Sequence, residues 1–307
     1  MYRAIRCVRL DGREVLLQVA PDKSSVLINE WNDMNYCLVK LKNINNFEKG
    51  ESVMKMEIGN VDIECTWSDN RIKTANESSH IQVTVAIFRH ILNLFKFSAK
   101  IQLDLSLDPS EVNNFPVLDG VTATALRAAT FDTTTIEAFC YKYPTQKSTA
   151  LFTKLSGGLS PFSSIWKVED IHFRVAENQA STILENFHGR ILFINDAHLP
   201  ETSVIKFMRN WMTGSAHQHL EVLHVMFAEN YVINPRIIYE KFRNEAKVWN
   251  PSKRAENYAY NTQIIGCYKP HRFECSRFLD IERHSDGRRA SFSVTTYWFR
   301  FCVWNIN

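Results

Sequence analysis

Residues 190–227 read RILFINDAHLPETSVIKFMRNWMTGSAHQHLEVLHVMF. Arg190 to Ile194 opens the stretch with an apolar run of strand length. Pro200 suits a first helical position and Gly214 a C-terminal stop, which brackets a helix over 201–213. Inside it Val204, Met208 and Trp211 share one face with Ile205 and Met212, the apolar stripe of a helix that packs on something. Leu220 to Phe227 is then a second strand. Strand, helix and strand in succession make this an α/β stretch, and the middle of the chain is read from it.

The alternation extends outward over about residues 98 to 250. Ile101-Gln102-Leu103-Asp104-Leu105-Ser106-Leu107 alternates strictly, and Val168 to Val175 is a further strand. The steps from Ile171 to Leu192 to Leu223 are about 20 to 30 residues, the range of leucine-rich-repeat units. No asparagine recurs at a fixed offset, so the repeat reads as degenerate, with an open α/β layer as the other option.

Both ends read as antiparallel β structure. At the N-terminus Ile5 and Cys7 lead to an Asp11-Gly12 turn, and Val15, Leu17 and Val19 return. Met54, Met56 and Ile58 form a second hairpin with Val61, Ile63, Cys65 and Trp67 across Gly59-Asn60. Ile81, Val85, Phe88, Leu92 and Phe95 then carry helical spacing, predicting a buried connecting helix. Residues 251–263 read as a polar loop. At the C-terminus Phe278, Leu279 and Ile281 pair through Ser285-Asp286-Gly287 with Phe292 and Val294, and Trp298 to Trp304 closes the chain as an aromatic strand. The fold class expected is therefore α+β or α/β. Its parts are an antiparallel β region over 1–76, a connecting helix and leucine-rich-repeat-like α/β region over 77–263, and a hairpin with closing strand over 264–307.

Composition narrows the function classes. The chain has 307 residues, 45% hydrophobic, 22% charged and 12% aromatic, with 10 glycines and 20 phenylalanines. That mixture excludes a disordered tail, a collagen-like fibre and a coiled-coil rod. With 36 basic and 33 acidic residues the net charge is +3, too little field to argue for nucleic acid as a partner. Scarce glycine argues against phosphate-cradling loops. No run approaches the roughly 18 apolar residues of a membrane span, and the first ten residues are not of signal-peptide type. Seven scattered cysteines fit reduced thiols, so the expected location is cytoplasmic or nuclear, away from membranes. Asn76-Glu77-Ser78 matches a glycosylation acceptor, but without a secretory signal it carries no weight.

Reactive motifs are missing from the sequence. It has no Gly-x-Ser-x-Gly elbow, no Gly-x-x-x-x-Gly-Lys loop and no His-Glu-x-x-His pair. Two groups have ligand-like spacing: Cys267, His271 and Cys275, and His217, His219 and His224. Pro270 breaks the helix that would align the first, and neither has an evident fourth member, so no metal or other cofactor is expected. Arg283, His284, Arg288 and Arg289 form a basic hairpin tip, which reads either as a solvated turn or as a contact patch for an acidic partner. Trp298 and Trp304 read as core anchors, or as hot spots if exposed.

The C-terminal segment carries a resemblance. Arg277-Phe278-Leu279-Asp280-Ile281-Glu282-Arg283, then Asp286-Gly287-Arg288-Arg289-Ala290, then Phe299-Arg300-Phe301-Cys302-Val303-Trp304 resembles the end of the nematode F-box-associated proteins of the second type. Upstream, Ile194, Leu199, Phe207, Trp211, Gly214, Leu220, Leu223 and Val225 are similar to that family's core motif, within about 190–252. Ile205-Lys206 departs from its usual Leu-Asn. The segment Ile91-Leu92-Asn93-Leu94-Phe95 is similar to the helix that precedes the α/β part, so the resemblance covers about residues 80 to 305. It implies a non-catalytic interaction module, the substrate-recognition part of an adaptor in a cullin ubiquitin ligase. A family F-box docks a Skp1-like protein, but residues 1–50 read as hairpins with a lone Pro21, so that module is expected to be missing and a Skp1-like partner only where an F-box is present. The partner expected is a protein substrate. The other readings are an enzyme with an unrecognised active site and a truncated family member with no retained function.

Overall fold

The computed structural model describes residues 14–21, 23–29, 35–44, 49, 51–58, 61–68, 71–74, 80–95, 100–267 and 272–304. The chain forms two compact units, Met1–Arg127 and Ala128–Asn307. The predicted turns at Asp11-Gly12 and Gly59-Asn60, the strand around Ile5 and Cys7, the Asn76-Glu77-Ser78 acceptor and His271 lie outside the described residues.

The first unit contains β1 (Glu14–Val19), β2 (Lys23–Asn29), β3 (Asn35–Asn43), β4 (Met54–Ile58), β5 (Val61–Ser68), β6 (Arg71–Thr74), α1 (His80–Phe95), β7 (Lys100–Leu105), α2 (Pro109–Asn114) and the first part of β8 (Val121–Asp132). Its strands lie in the order β8-β7-β1-β2-β3-β6-β5-β4. Pro21 sits in the β1–β2 connection, where the Ala20 amide donates to the Lys23 carbonyl at 2.8 Å. β4 and β5 pair antiparallel with Met54 opposite Cys65 and Met56 opposite Ile63. Parallel pairs, β1 with β7 and β3 with β6, interrupt the antiparallel ones.

Helix α1 packs on β1, β4 and β5. It buries Val83, Val85, Ile87, Phe88 and Ile91 over the sheet face that carries Val15, Leu17, Val26, Leu41 and Leu103. Each large apolar side chain removed from water in this way contributes about 1.5–3 kcal/mol. Thr84 is also buried there and donates to Ser24 at 3.1 Å, so the buried face of the helix includes a polar tether as well as the apolar stripe.

The second unit contains the rest of β8, then α3 (Thr133–Lys142), β9 (Ser148–Ser156), a 3-10 turn (Ser164–Lys167), β10 (Asp170–Val175), α4 (Ala180–Asn186), β11 (Ile191–Ala197), α5 (Glu201–Thr213), β12 (Val222–Phe227) and α6 (Pro235–Lys241). It ends with β13 (Lys247–Val248), β14 (Asn257–Ala259), β15 (Arg272–Glu274), β16 (Leu279–Glu282), β17 (Arg289–Val294) and β18 (Trp298–Val303). Strands β9 to β12 are parallel neighbours in chain order, with Ile171 beside Leu192 and Leu192 beside Leu223. Successive crossovers in one direction place their helices on one face. There Phe207 and Trp211 of α5 stack edge-on against Phe301 of β18 at 5.1 and 5.2 Å. Glu201, not Pro200, opens α5, and Gly214 ends it at φ 73, where a side chain would be strained.

The expected layout is therefore corrected. The neighbour of β12 is not a further repeat but β18, which returns from the C-terminus antiparallel and brings β17 and β16 with it. The hairpin predicted as a separate C-terminal element is part of the same sheet, and the N-terminal β region is mixed rather than antiparallel. Mixed sheet is the main architecture of both units, not a repeat array flanked by small β pieces. The physical reason is edge satisfaction: β12 would otherwise expose a row of unpaired amides and carbonyls, and the aromatic strand β18 both pairs with it and buries Phe299 and Phe301 under α5. No helix among the described residues is long and apolar enough to cross a membrane.

Candidate functional site

The four residues predicted at the basic tip have different surroundings. Arg283 is buried, donates two hydrogen bonds to Asp286 at 2.9 and 2.6 Å and one to the Gln218 carbonyl at 3.4 Å, and lies 5.4 Å over the Trp211 ring. Its guanidinium and the Arg288 amide hold the Asp286 carboxyl down at about 2. Arg289 donates to the Lys253 carbonyl at 2.9 Å and lies 3.6 Å from Glu282. His284 is exposed, although its amide is bound to the Met212 carbonyl at 2.8 Å, and Arg288 is half-buried. Two of the three arginines, Arg283 and Arg289, are thus engaged in holding the hairpin against α5 and the 250s loop.

Of the two groups with ligand-like spacing, the first includes His271, which lies outside the described residues. Among the described residues no three His, Cys, Asp or Glu side chains are placed to share a metal ion. His217 and His224 lie on opposite faces of the strands of the second unit. His217 packs on Phe207 at 4.8 Å and contacts the Phe187 carbonyl at 3.1 Å, while His224 faces Arg300 at 3.4 Å. Cys275 lies 3.8 Å from Cys302, sulfur to sulfur, and burial pushes the Cys267 thiol up to about 12.

The face opposite α5 holds a layer of titratable groups in which His172 and Asp170 are buried and His224, Tyr260 and Arg300 are half-buried. His172, Phe193, His224 and Arg300 are successive cross-strand neighbours, with rings edge-on at 5.9 and 6.1 Å. Tyr260 and Phe273 cover Phe193 and His224 at 6.1 and 5.6 Å. Burial, with Arg174 nearby, lowers His172 to about 4; burial, with Arg300 and His172, lowers His224 to about 3. Burial raises Asp170 to about 6, despite hydrogen bonds at 2.7 Å from both Arg190 and Thr262. A general acid or base must come within hydrogen-bond reach of its substrate, and His172, 7% exposed, is shut in by aromatic rings. This layer packs the sheet.

The open site is on the first unit, on the sheet face away from α1. Period-2 alternation puts Val15, Leu17, Val26, Leu41, Ile72 and Leu103 on the face that carries α1 and their polar neighbours on the other. Five of those polar residues form one register row across five strands: Asp104, Gln18, Ser25, Lys40 and Arg71. Arg127 donates to Asp104 at 2.7 Å, Gln18 reaches the same carboxylate at 3.4 Å, and Ser25 donates to Gln18 at 3.0 Å. The adjoining row sets Lys23 opposite Lys42 and Lys42 opposite Lys73, and Lys73 is paired with Glu51 at 2.5 Å. These rows line a cavity of about 600 Å³. Lys23, Lys40, Lys42, Arg71 and Arg127 against Asp104 give it a net +4, where the whole chain carries +3. Among the described residues Lys23, Lys40, Lys42 and Arg71 have no ion-pair partner, and all four are exposed.

Positive charge read as runs along the sequence points to the hairpin tip. The groove's four unpaired cations come from three strands, and the two on β3 are separated by an apolar residue, Lys40-Leu41-Lys42. The available signal was the strict alternation of Lys40, Lys42, Arg71 and Lys73 with buried Leu41 and Ile72, which places them all outward. Comparison of the chain with protein-family models, curated proteins and solved structures found no match.

Proposed function

We propose that the chain is a non-catalytic protein-interaction module, similar to the substrate-recognition part of an F-box adaptor, and that its partner presents an acidic segment to the first unit. One observation carries the reading: a groove on a hydrogen-bonded sheet face holds four exposed cations without carboxylate partners. Like charges directly opposite on neighbouring strands repel, so Lys23 against Lys42 and Lys40 against Arg71 cost stability in the free protein. An acidic partner reverses the sign of that term and is steered by it. A rigid sheet also fixes the backbone of the binding surface in advance, which lowers the ordering cost of association.

The surroundings of His172 favour this reading over an enzyme, because that side chain is buried among the rings of Phe152 and Phe193. The test is affinity capture with wild-type chain and with a Lys40→Glu/Lys42→Glu variant, followed by cross-link mapping of captured proteins. The reading predicts proteins that contact β2, β3 or β6 through acidic segments and are lost with the variant. A captured set that does not change on charge reversal contradicts it.

A further inference from the structure

The four unpaired cations of the groove are spaced to suit one ligand chemistry. Lys40 and Lys42 project from the same face of β3, two residues and so about 7 Å apart. Each faces a cation on an adjacent strand, Lys42 facing Lys23 and Lys40 facing Arg71, at the strand spacing of about 4.8 Å. Four positive side chains therefore rise from a patch small enough for one compact anion to touch them all. The floor beside them is electrically quiet. Asp104 is neutralised by Arg127 and bonded by Gln18, and Lys73 is held by Glu51, so neither competes for the site.

We propose that this groove binds phosphate carried on a phosphorylated serine or threonine of the partner's acidic segment, an inference that rests on the acidic-partner reading above. A phosphate ester brings a charge of about −1.5 to −2 and three acceptor oxygens on one atom, which four cations at this density can share. A carboxylate brings one charge and two oxygens, and leaves most of the repulsion in place. Arg71 offers the planar fork that binds phosphate through paired donors, and the lysines add mobile point charge. Nucleotides and single-stranded nucleic acid are disfavoured by the lining, where no aromatic side chain on which a base could stack is found among the described residues. The cavity, at about 600 Å³, is much larger than a phosphate and its four cations are exposed, so the phosphate arrives on a longer chain laid along the face.

The test is fluorescence anisotropy with the full chain and a short labelled peptide carrying neighbouring phosphoserines. The competitors are the same peptide with glutamate at those positions, inorganic phosphate and an oligouridylate. The expected result is that the phosphopeptide binds at least about tenfold more tightly than the glutamate peptide, with affinity falling as salt rises. Lys40→Gln with Arg71→Gln should reduce phosphopeptide affinity about tenfold or more. The same change removes a like-charge pair, so its melting temperature should equal or exceed that of the wild type, which separates lost binding from lost folding. A variant that melts lower overturns the view that these cations are held apart for a ligand. Equal binding of phosphoserine and glutamate peptides overturns the phosphate assignment and leaves the acidic-partner reading standing. Binding of neither peptide overturns both. Inorganic phosphate or oligouridylate that binds as tightly as the phosphopeptide overturns the assignment of the occupant.

Discussion

Arg254 shows how much a single side chain can be asked to hold. Its guanidinium, 2% exposed, donates to both oxygens of Asp280 at 2.9 and 3.0 Å and to the Cys275 carbonyl at 2.9 Å, and stacks 5.0 Å over Trp304. Ser291 completes Asp280 at 2.6 Å and accepts from the Trp304 indole at 2.7 Å. Removing one partner leaves a buried charge uncompensated, so Arg254→Ala should cost about 3–5 kcal/mol in urea unfolding. Arg236→Ala, which breaks an exposed pair with Glu240, should cost about 0.5 kcal/mol or less by the same assay. Equal losses would contradict the assignment of Arg254 as the organising residue. Gly189 is a second such position. A β-carbon there would lie 2.5 Å from the Glu169 carbonyl and 2.6 Å from that of Val168, both backbone atoms that cannot turn aside. Neither role was legible in the sequence: 251–263 reads as a polar loop, and the burial of Arg254 depends on partners 26 residues away. The surroundings of Arg283 are hidden for the same reason, since Trp211 and Gln218 come to it from α5 and the loop that follows.

Elements were easier to read than their arrangement. The β4–β5 ladder follows from alternation alone, and α1 and α5 follow from helical spacing, because those periods are properties of a single segment. Which strands become neighbours depends on the rest of the chain. Nothing within Trp298 to Val303 says that β18 will lie beside β12, and nothing within Glu14 to Val19 says that β1 will pair with β7. The 20-to-30-residue steps through Ile171, Leu192 and Leu223 did find three adjacent strands, but a repeat array needs every neighbour to be another repeat, and the returning antiparallel strand ends that series. The packing of α1 gives this scale its prediction. Phe88 is fully buried on the first sheet, so Phe88→Ala should destabilise the chain by about 3–5 kcal/mol, read as a lower denaturation midpoint with unchanged slope. A cost under about 1 kcal/mol would mean that α1 is not the cover of that face.

For the whole molecule, three histidines held below their ordinary pKa, His172 and His217 buried and His224 half-buried, shape the response to mild acid. His172 and His217 are lowered to about 4 and His224 to about 3, in each case first by burial, from an ordinary 6.5. Above pH 6.5 all three are neutral folded or unfolded, and they leave stability unchanged. As pH falls from 6.5 toward 4 the unfolded chain takes up protons that the folded chain refuses, so stability falls across that window. Asp170 acts in the opposite sense: its pKa is raised to about 6, so between about 6 and 3.8 the folded state binds the proton more readily and stability rises as pH falls. Three groups against one leave a net loss of several kcal/mol by pH 4, and His172→Phe should reduce the pH dependence of the urea midpoint. An unchanged pH profile in that variant would show that His172 is not titrating as a buried group.

Net charge, the quantity that composition supplies, concealed the candidate site at this scale. A chain of +3 contains a groove of +4, because the other charges largely cancel elsewhere and only the pairing of β2, β3 and β6 gathers the four cations. This face, and not the hairpin tip, is the one proposed to receive the acidic partner. The most direct measurement is a backbone amide NMR titration of the chain with the acidic phosphoserine peptide. Chemical-shift changes centred on Lys23–Asn29, Asn35–Asn43 and Arg71–Thr74 are the predicted result. Changes confined to His284–Arg289, with the groove amides unmoved, would contradict it.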